Sequence, residues 1–159
     1  MPPRRHDDYT AAWICALPLE LAAAYAMLDG RHGRVEGHNA VIACLPSGVT
    51  GTVSAARVVS QMLSTFRQVK FRLMIGIGGG APSEEHDVRL GDVVVRKPVG
   101  LLGGVIQYDF GKTIQQGQFQ RTGILNKPLE ILLTVLSNLQ AQYLIKGHGI
   151  KDTIQNIVN

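Results

Sequence analysis

Short apolar runs, each cut off by proline or glycine, constrain this chain more than any other feature. Tyr9 to Leu17 carries Ala11, Ala12, Trp13, Ile14, Cys15, Ala16 and Leu17 almost without interruption. A run that is apolar at every position, not at every second one, suits a strand buried on both faces, as in a parallel sheet. Pro18 ends the run and fits the first turn of a helix. Leu19 to Leu28 then supplies Ala, Leu and Met, all strong helix formers. The pattern repeats. Arg34-Val35-Glu36 reads as a short strand that turns at Gly37-His38-Asn39 into a second run, Ala40 to Leu45. Pro46-Ser47-Gly48 stops that run, and Thr52 to Phe66 places Val53, Ala56, Val59, Met62 and Leu63 on one helical face. A third run, Phe71 to Ile75, enters the glycines at 76–80. Gly91-Asp92 leads into Val93-Val94-Val95, predicted as a further buried strand. Residues 98–128 are glycine-rich and irregular, with one apolar piece from Val105 to Phe110. Pro128 to Tyr143 reads as a helix with the stripe Leu129, Leu132, Leu133, Leu136 and Leu139, while 144–159 is ambiguous. Helices that alternate with buried strands make the class α/β with a largely parallel sheet. Residues 1–8 read as a loose tail and 9–159 as one domain.

Bulk properties exclude several function classes. The 45% apolar and 18% charged composition supports a packed core. Net charge is +4, but the basic residues are scattered and aromatics are only 6%, unlike a nucleic-acid groove with clustered Lys/Arg and interleaved rings. No apolar stretch reaches membrane-spanning length, and Met1 to Asp8 lacks the apolar region of a secretory signal. Cys15 and Cys44 each sit inside an apolar run, as reduced buried thiols would in a cytoplasmic chain. The five histidines lack metal-ligand spacing, so no metal site is expected.

Ligands in open α/β sheets bind beyond the carboxyl ends of the strands. Leu17–Glu20, Pro46–Gly51 and Gly76–Ala81 follow strands, and in a parallel sheet all three open on one rim. Glu20 is a carboxylate among apolar neighbours. It is read either as a favourable charge at a helix N-terminus or as a general base acting on water. Ser47 and Gly48 offer a hydroxyl and an amide to a ligand, or form only a turn. Gly76, Ile77, Gly78 and Gly79 provide bare backbone for the close approach of a flat ligand. Asp92 reads as the residue that fixes a turn. Tyr108 and Asp109 form an aromatic–acidic patch suited to a lid, a subunit contact or a turn. The segment Gly76–Ala81 also matches GxGxxA, which is weak by itself. A dinucleotide site needs a helix that opens inside the glycine loop, and Pro82 to Asp87 shows no such helix pattern.

Together, residues 13–20, 41–48, 76–80, 90–95 and 104–112 resemble the purine/uridine phosphorylase superfamily. The resemblance is to the branch found at the N-terminus of fungal NOD-like receptor and ankyrin-repeat proteins and, more distantly, to methylthioadenosine/S-adenosylhomocysteine nucleosidases. It covers nearly all of residues 9–145. It implies a three-layer α/β/α sandwich around a mixed sheet, and cleavage of the N-glycosidic bond of a purine nucleoside by water or phosphate, with no other cofactor. Glu20 falls where the nucleosidases keep the carboxylate that activates water. Gly76–Gly80 falls where the family loop meets ribose, nucleophile and base. Ile77 stands where many relatives carry a hydroxyl, and Met74 where hexameric phosphorylases carry a phosphate-binding Arg, so hydrolysis is favoured over phosphorolysis. The segment 29–40 is shorter than in relatives. The chain also stops before the strands that supply the ribose-binding Glu and the acidic Asp, which suggests a truncated domain. The resemblance further implies a homo-oligomer or fused signalling domains, and the unfinished sheet implies an exposed edge. A nucleoside-binding module without turnover and a Rossmann-type NAD-binding protein are the alternatives.

Overall fold

The computed structural model describes residues 5–28, 33–35, 37–114 and 117–158. It falls into two compact units, Met1–Gly80 with Ile157–Asn159, and Ala81–Asn156.

The first unit is the α/β core that the apolar runs predict. Its strands are β1 (Ala11–Cys15), β2 (Arg34–Val35), β3 (His38–Cys44) and β4 (Phe71–Met74), and its helices are α1 (Pro18–Ala26) and α2 (Thr52–Thr65). The sheet order is β2-β3-β1-β4. β1 is central and parallel to both β3 and β4, while β2 pairs antiparallel with β3 as a hairpin arm. Glu36, predicted to extend β2, lies outside the described residues.

The connections set the layers. From β1 the chain moves to one side, through α1, to reach β3. From β3 it crosses back over β1, through α2, to reach β4. Right-handed connections that run in opposite directions put α1 and α2 on opposite faces. Strand pleating agrees, since alternate residues face opposite ways. Ala12 and Ile14 are buried with Met62 and Val69, against Val41, Ala43, Val59, Leu63 and Phe66, on the α2 face. Ala11, Trp13 and Cys15 therefore face α1. The architecture is a central sheet of mostly parallel strands flanked by helices.

Two local readings change. Residues 5–8, expected to be part of a loose tail, form a 3-10 turn at His6–Asp8. Asn39 donates its side-chain amide to the Asp8 carbonyl at 2.8 Å, and the His6 ring meets Phe66 edge-on. In addition, Val93-Val94-Val95 is not a buried strand. The three valines are irregular and 69%, 77% and 52% exposed. A continuous apolar run becomes a buried strand only when a neighbouring strand pairs with it and helices cover it. Among the described residues these valines pair with none.

The second unit contains a short hairpin, β5 (Gly111–Thr113) with β6 (Phe119–Arg121), in the region read as irregular, followed by α3 (Glu130–Lys146) and α4 (Ile150–Val158). Arg96 organises its loops by donating to the carbonyls of Gly103 and Asn126. The predicted stripe on α3 is only partly covered: Leu132, Leu133 and Leu136 are half-buried, and Leu129 and Leu139 are exposed.

Burial separates the two apolar runs experimentally. Ile14→Ala is expected to cost about 2–5 kcal/mol in denaturant unfolding of the full chain, and Val94→Ala less than about 0.5 kcal/mol. A Val94→Ala cost as large as that of Ile14→Ala would restore the buried-strand reading of residues 93–95.

Candidate functional site

The carboxyl ends of β3, β1 and β4 lie side by side, because the three strands are adjacent and parallel. The three loops singled out from the sequence therefore leave one rim. α1 and α2 depart to opposite faces, so the adjacent ends of β1 and β3 form a topological switch point, the place where open α/β sheets hold their ligands.

Glu20 is the side chain that organises this rim. Pro18 starts α1 at its first position, which places Glu20 in the first turn and aims its carboxylate back at the strand end. Its Oε2 accepts from the backbone N–H groups of Ala16 and Leu17, at 2.7 and 2.9 Å. Leu17, the N-cap residue, has no side-chain acceptor, so Glu20 supplies the back half of a capping box alone. Its Oε1 accepts from the N–H of Ile77 at 2.8 Å, across 57 positions of sequence. The end of β1, the start of α1 and the loop after β4 thus share one carboxylate, which is only 7% exposed. The Ile77 hydrogen bond, followed by those from Ala16 and Leu17, holds the Glu20 carboxyl below the usual carboxylate range and outweighs the opposing effect of burial.

Gly76 is required by this contact. A Cβ placed there would come 2.6 Å from Glu20 Oε1 and 3.0 Å from its carboxyl carbon. Any larger residue pushes the carboxylate away from Ile77. Gly78 and Gly79 face open space, and a Cβ there would meet nothing within 4 Å. The glycine loop is therefore two features: a tight contact at Gly76 and an exposed stretch beyond it. The Ile77 side chain points to solvent, as does that of Met74.

Ser47 and Gly48 form the exposed turn after β3, and Gly48 takes a positive φ of 76° that favours glycine. The rim thus gathers Glu20, Ser47, Gly48, Gly76, Ile77, Gly78 and Gly79 at three neighbouring strand ends. Tyr108 and Asp109 belong to the second unit, where they form an exposed turn with Tyr108 84% accessible. Asp92 fixes a turn as expected, accepting from the Arg89 N–H at 2.9 Å, although no strand follows.

Two features of the site were not marked by the sequence. Cys15 and Cys44 are register partners at the carboxyl ends of β1 and β3. Burial, with the neighbouring Cys44 thiol next and the Glu20 charge last, pushes the Cys15 thiol up to about 11. Trp13 also has a buried indole N–H without an acceptor among the described residues. Their apolar runs disguised all three as ordinary core.

The dinucleotide reading does not survive. Between Met74 and Glu130 the described residues contain no helix, so no helix N-terminus meets the glycine loop. Among the described residues no group of three or more His, Cys, Asp or Glu is placed to hold a metal, and no helix is long and apolar enough to cross a membrane.

The chain is 46% identical over 156 residues to a nucleotide-binding leucine-rich repeat (NLR)-like protein of the fungus Hyaloscypha variabilis. The alignment covers 88% of this chain and 16% of that protein, so the chain spans about one-sixth of its relative's length. No protein-family model and no solved structure matches the chain.

The pH dependence of stability tests the role of Glu20. Because its folded carboxyl lies below the ordinary range, its contribution is present above the unfolded carboxylate pKa and is lost as pH falls through the folded value. Glu20→Gln turns an amide donor toward backbone donors and is expected to lower unfolding free energy at neutral pH by about 1–3 kcal/mol. The gap between wild type and variant should shrink on acidification. A gap that stays constant with pH would show that the three hydrogen bonds do not govern the titration.

Proposed function

We propose that this chain is a nucleosidase-like module that takes a purine nucleoside at the carboxyl-end rim and cleaves its N-glycosidic bond by hydrolysis. The observation that carries the reading is the direct contact between Glu20 and the Gly76–Ile77 backbone. It joins a buried carboxylate to an exposed glycine stretch suited to a flat base or ribose. Glu20 is the base in this reading. Oε2 already accepts two N–H bonds, but Oε1 accepts one and keeps a lone pair for water. Ser47 and Gly48 border the rim from β3, and Gly78 and Gly79 border it from β4. Apolar Met74 and Ile77 offer nothing to a phosphate dianion, which supports water over phosphate as the nucleophile.

One observation favours a second reading, nucleoside binding without turnover. Three N–H bonds lower the basicity of the Glu20 carboxylate, and a weaker base extracts a proton from water less effectively. The name of the NLR-like relative favours neither reading over the other. A homo-oligomer or a fused signalling domain is part of the same proposal, supported by β4 ending the strand order of its sheet among the described residues.

Incubation of the full chain with adenosine or methylthioadenosine, followed by chromatography for free adenine, separates the readings. Hydrolysis predicts adenine release at a rate independent of added phosphate, lowered about 10²–10⁴-fold by Glu20→Gln at equal folded fraction. It also predicts a loss in Gly76→Ala, whose Cβ would displace the Glu20 carboxylate. Calorimetric binding with no adenine release supports the second reading. Neither binding nor release would end both.

A further inference from the structure

The nucleoside chemistry leaves the two cysteines without a part, yet the fold places them together. Cys15 ends β1 and Cys44 ends β3, and the parallel register pairs them directly. Paired residues on adjacent strands project to the same face. Strand spacing is about 4.8 Å, inside the roughly 4.4–6.8 Å Cα separation that a disulfide accepts. The backbone holds them there, since the ladder continues past both residues and Leu45 donates to the Cys15 carbonyl at 3.0 Å. The Cys15 thiol is already turned toward β3, with its Sγ donating to the Ala43 carbonyl at 3.6 Å. Both thiols are free. Cys15 is buried, whereas Cys44 is only half-buried and so within reach of a small oxidant.

We propose that Cys15 and Cys44 form a peroxide-oxidisable dithiol that closes to an intramolecular disulfide across the carboxyl ends of β1 and β3. The half-buried Cys44 reacts first. Its thiol gives up a proton, the thiolate attacks one oxygen of hydrogen peroxide, the O–O bond breaks, and the departing hydroxide takes up that proton to leave as water, which gives a sulfenic acid at Cys44. Cys15 Sγ then attacks Cys44 Sγ, the S–O bond breaks, and a second water carries off the Cys15 proton. Two S–H groups are oxidised and one peroxide is reduced to two waters. Burial keeps the Cys15 thiol protonated and so protects it from being oxidised alone, and its attack on Cys44 rests on the proximity that the β1–β3 register imposes. The product staples the central strand to β3 immediately below the Glu20 rim. The pair therefore gives this rim a covalent redox state of its own, and the proposal does not depend on the nucleosidase reading.

The test uses the full chain, fully reduced and then treated with hydrogen peroxide. The expected result is loss of both titratable thiols together and an intact mass lower by two hydrogens in a monomer. Non-reducing peptide mapping should join the segment containing Cys15 to that containing Cys44, and dithiothreitol should reverse the change. Cys15→Ala should stop the cross-link and leave a Cys44 sulfenic acid that dimedone captures. Mapping of the wild type decides the matter even if a variant folds poorly. Persistence of both free thiols, oxidation of Cys44 to sulfinic acid with Cys15 still reduced, or a disulfide between two molecules would each overturn the proposal.

Discussion

Three backbone N–H groups, two from the adjacent Ala16 and Leu17 and one from the distant Ile77, converge on one buried carboxylate, and the geometry of the rim follows from that convergence. Without Glu20, the N–H groups of Ala16, Leu17 and Ile77 would lose the acceptor that it provides at the end of the central strand. Hydrogen bonds to an ionised acceptor are stronger than neutral ones, so Glu20 holds the glycine loop after β4 against the start of α1. Gly76 completes the arrangement by having no side chain to obstruct it. Conformation and chemistry pull in opposite directions here. The bonds that position the carboxylate also lower its proton affinity, so in the proposed hydrolysis it would rely on placement more than on basicity.

Much of the first unit was legible in the sequence because burial on both faces leaves a strong mark. The runs around Ala12 and Ile14, Val41 and Ala43, and Leu73 read as strands, and the Ala-, Leu- and Met-rich segment after Pro18 read as a helix. The same logic misled at Val93–Val95. Three consecutive valines look like a buried strand whether or not a partner strand exists, and pairing is a tertiary property that the run itself does not encode. The β5–β6 hairpin was missed because its strands are three residues each and polar at Lys112, Gln120 and Arg121, too short for any alternation to emerge.

The site was legible in outline only. Strand ends followed by Pro and Gly marked the rim, and Glu20 stood out as a charge among apolar neighbours. The sequence left open whether it served as a helix-end charge or as a base. The structure adds a third role, a tie to Ile77, which no local pattern announces because the partner lies 57 residues away. The pairing of Cys15 with Cys44 was hidden for the same reason, since register belongs to the sheet. Ser47 and Gly48 joined the rim because β3 lies directly beside β1, an order that follows from the path of the two connections.

The central claim is that the carboxyl ends of β3, β1 and β4 form one nucleoside-binding rim organised by Glu20. Titration of the isotope-labelled full chain with methylthioadenosine, followed by amide NMR, tests it most directly. The amide resonances of Ala16, Leu17, Gly48, Ile77 and Gly78 are expected to move together along one saturating curve. Saturable shifts confined to Tyr9, Gly33 and Phe66, which line a groove of about 210 Å³ near the amino ends of β1 and β3, would contradict it, as would no shifts at all.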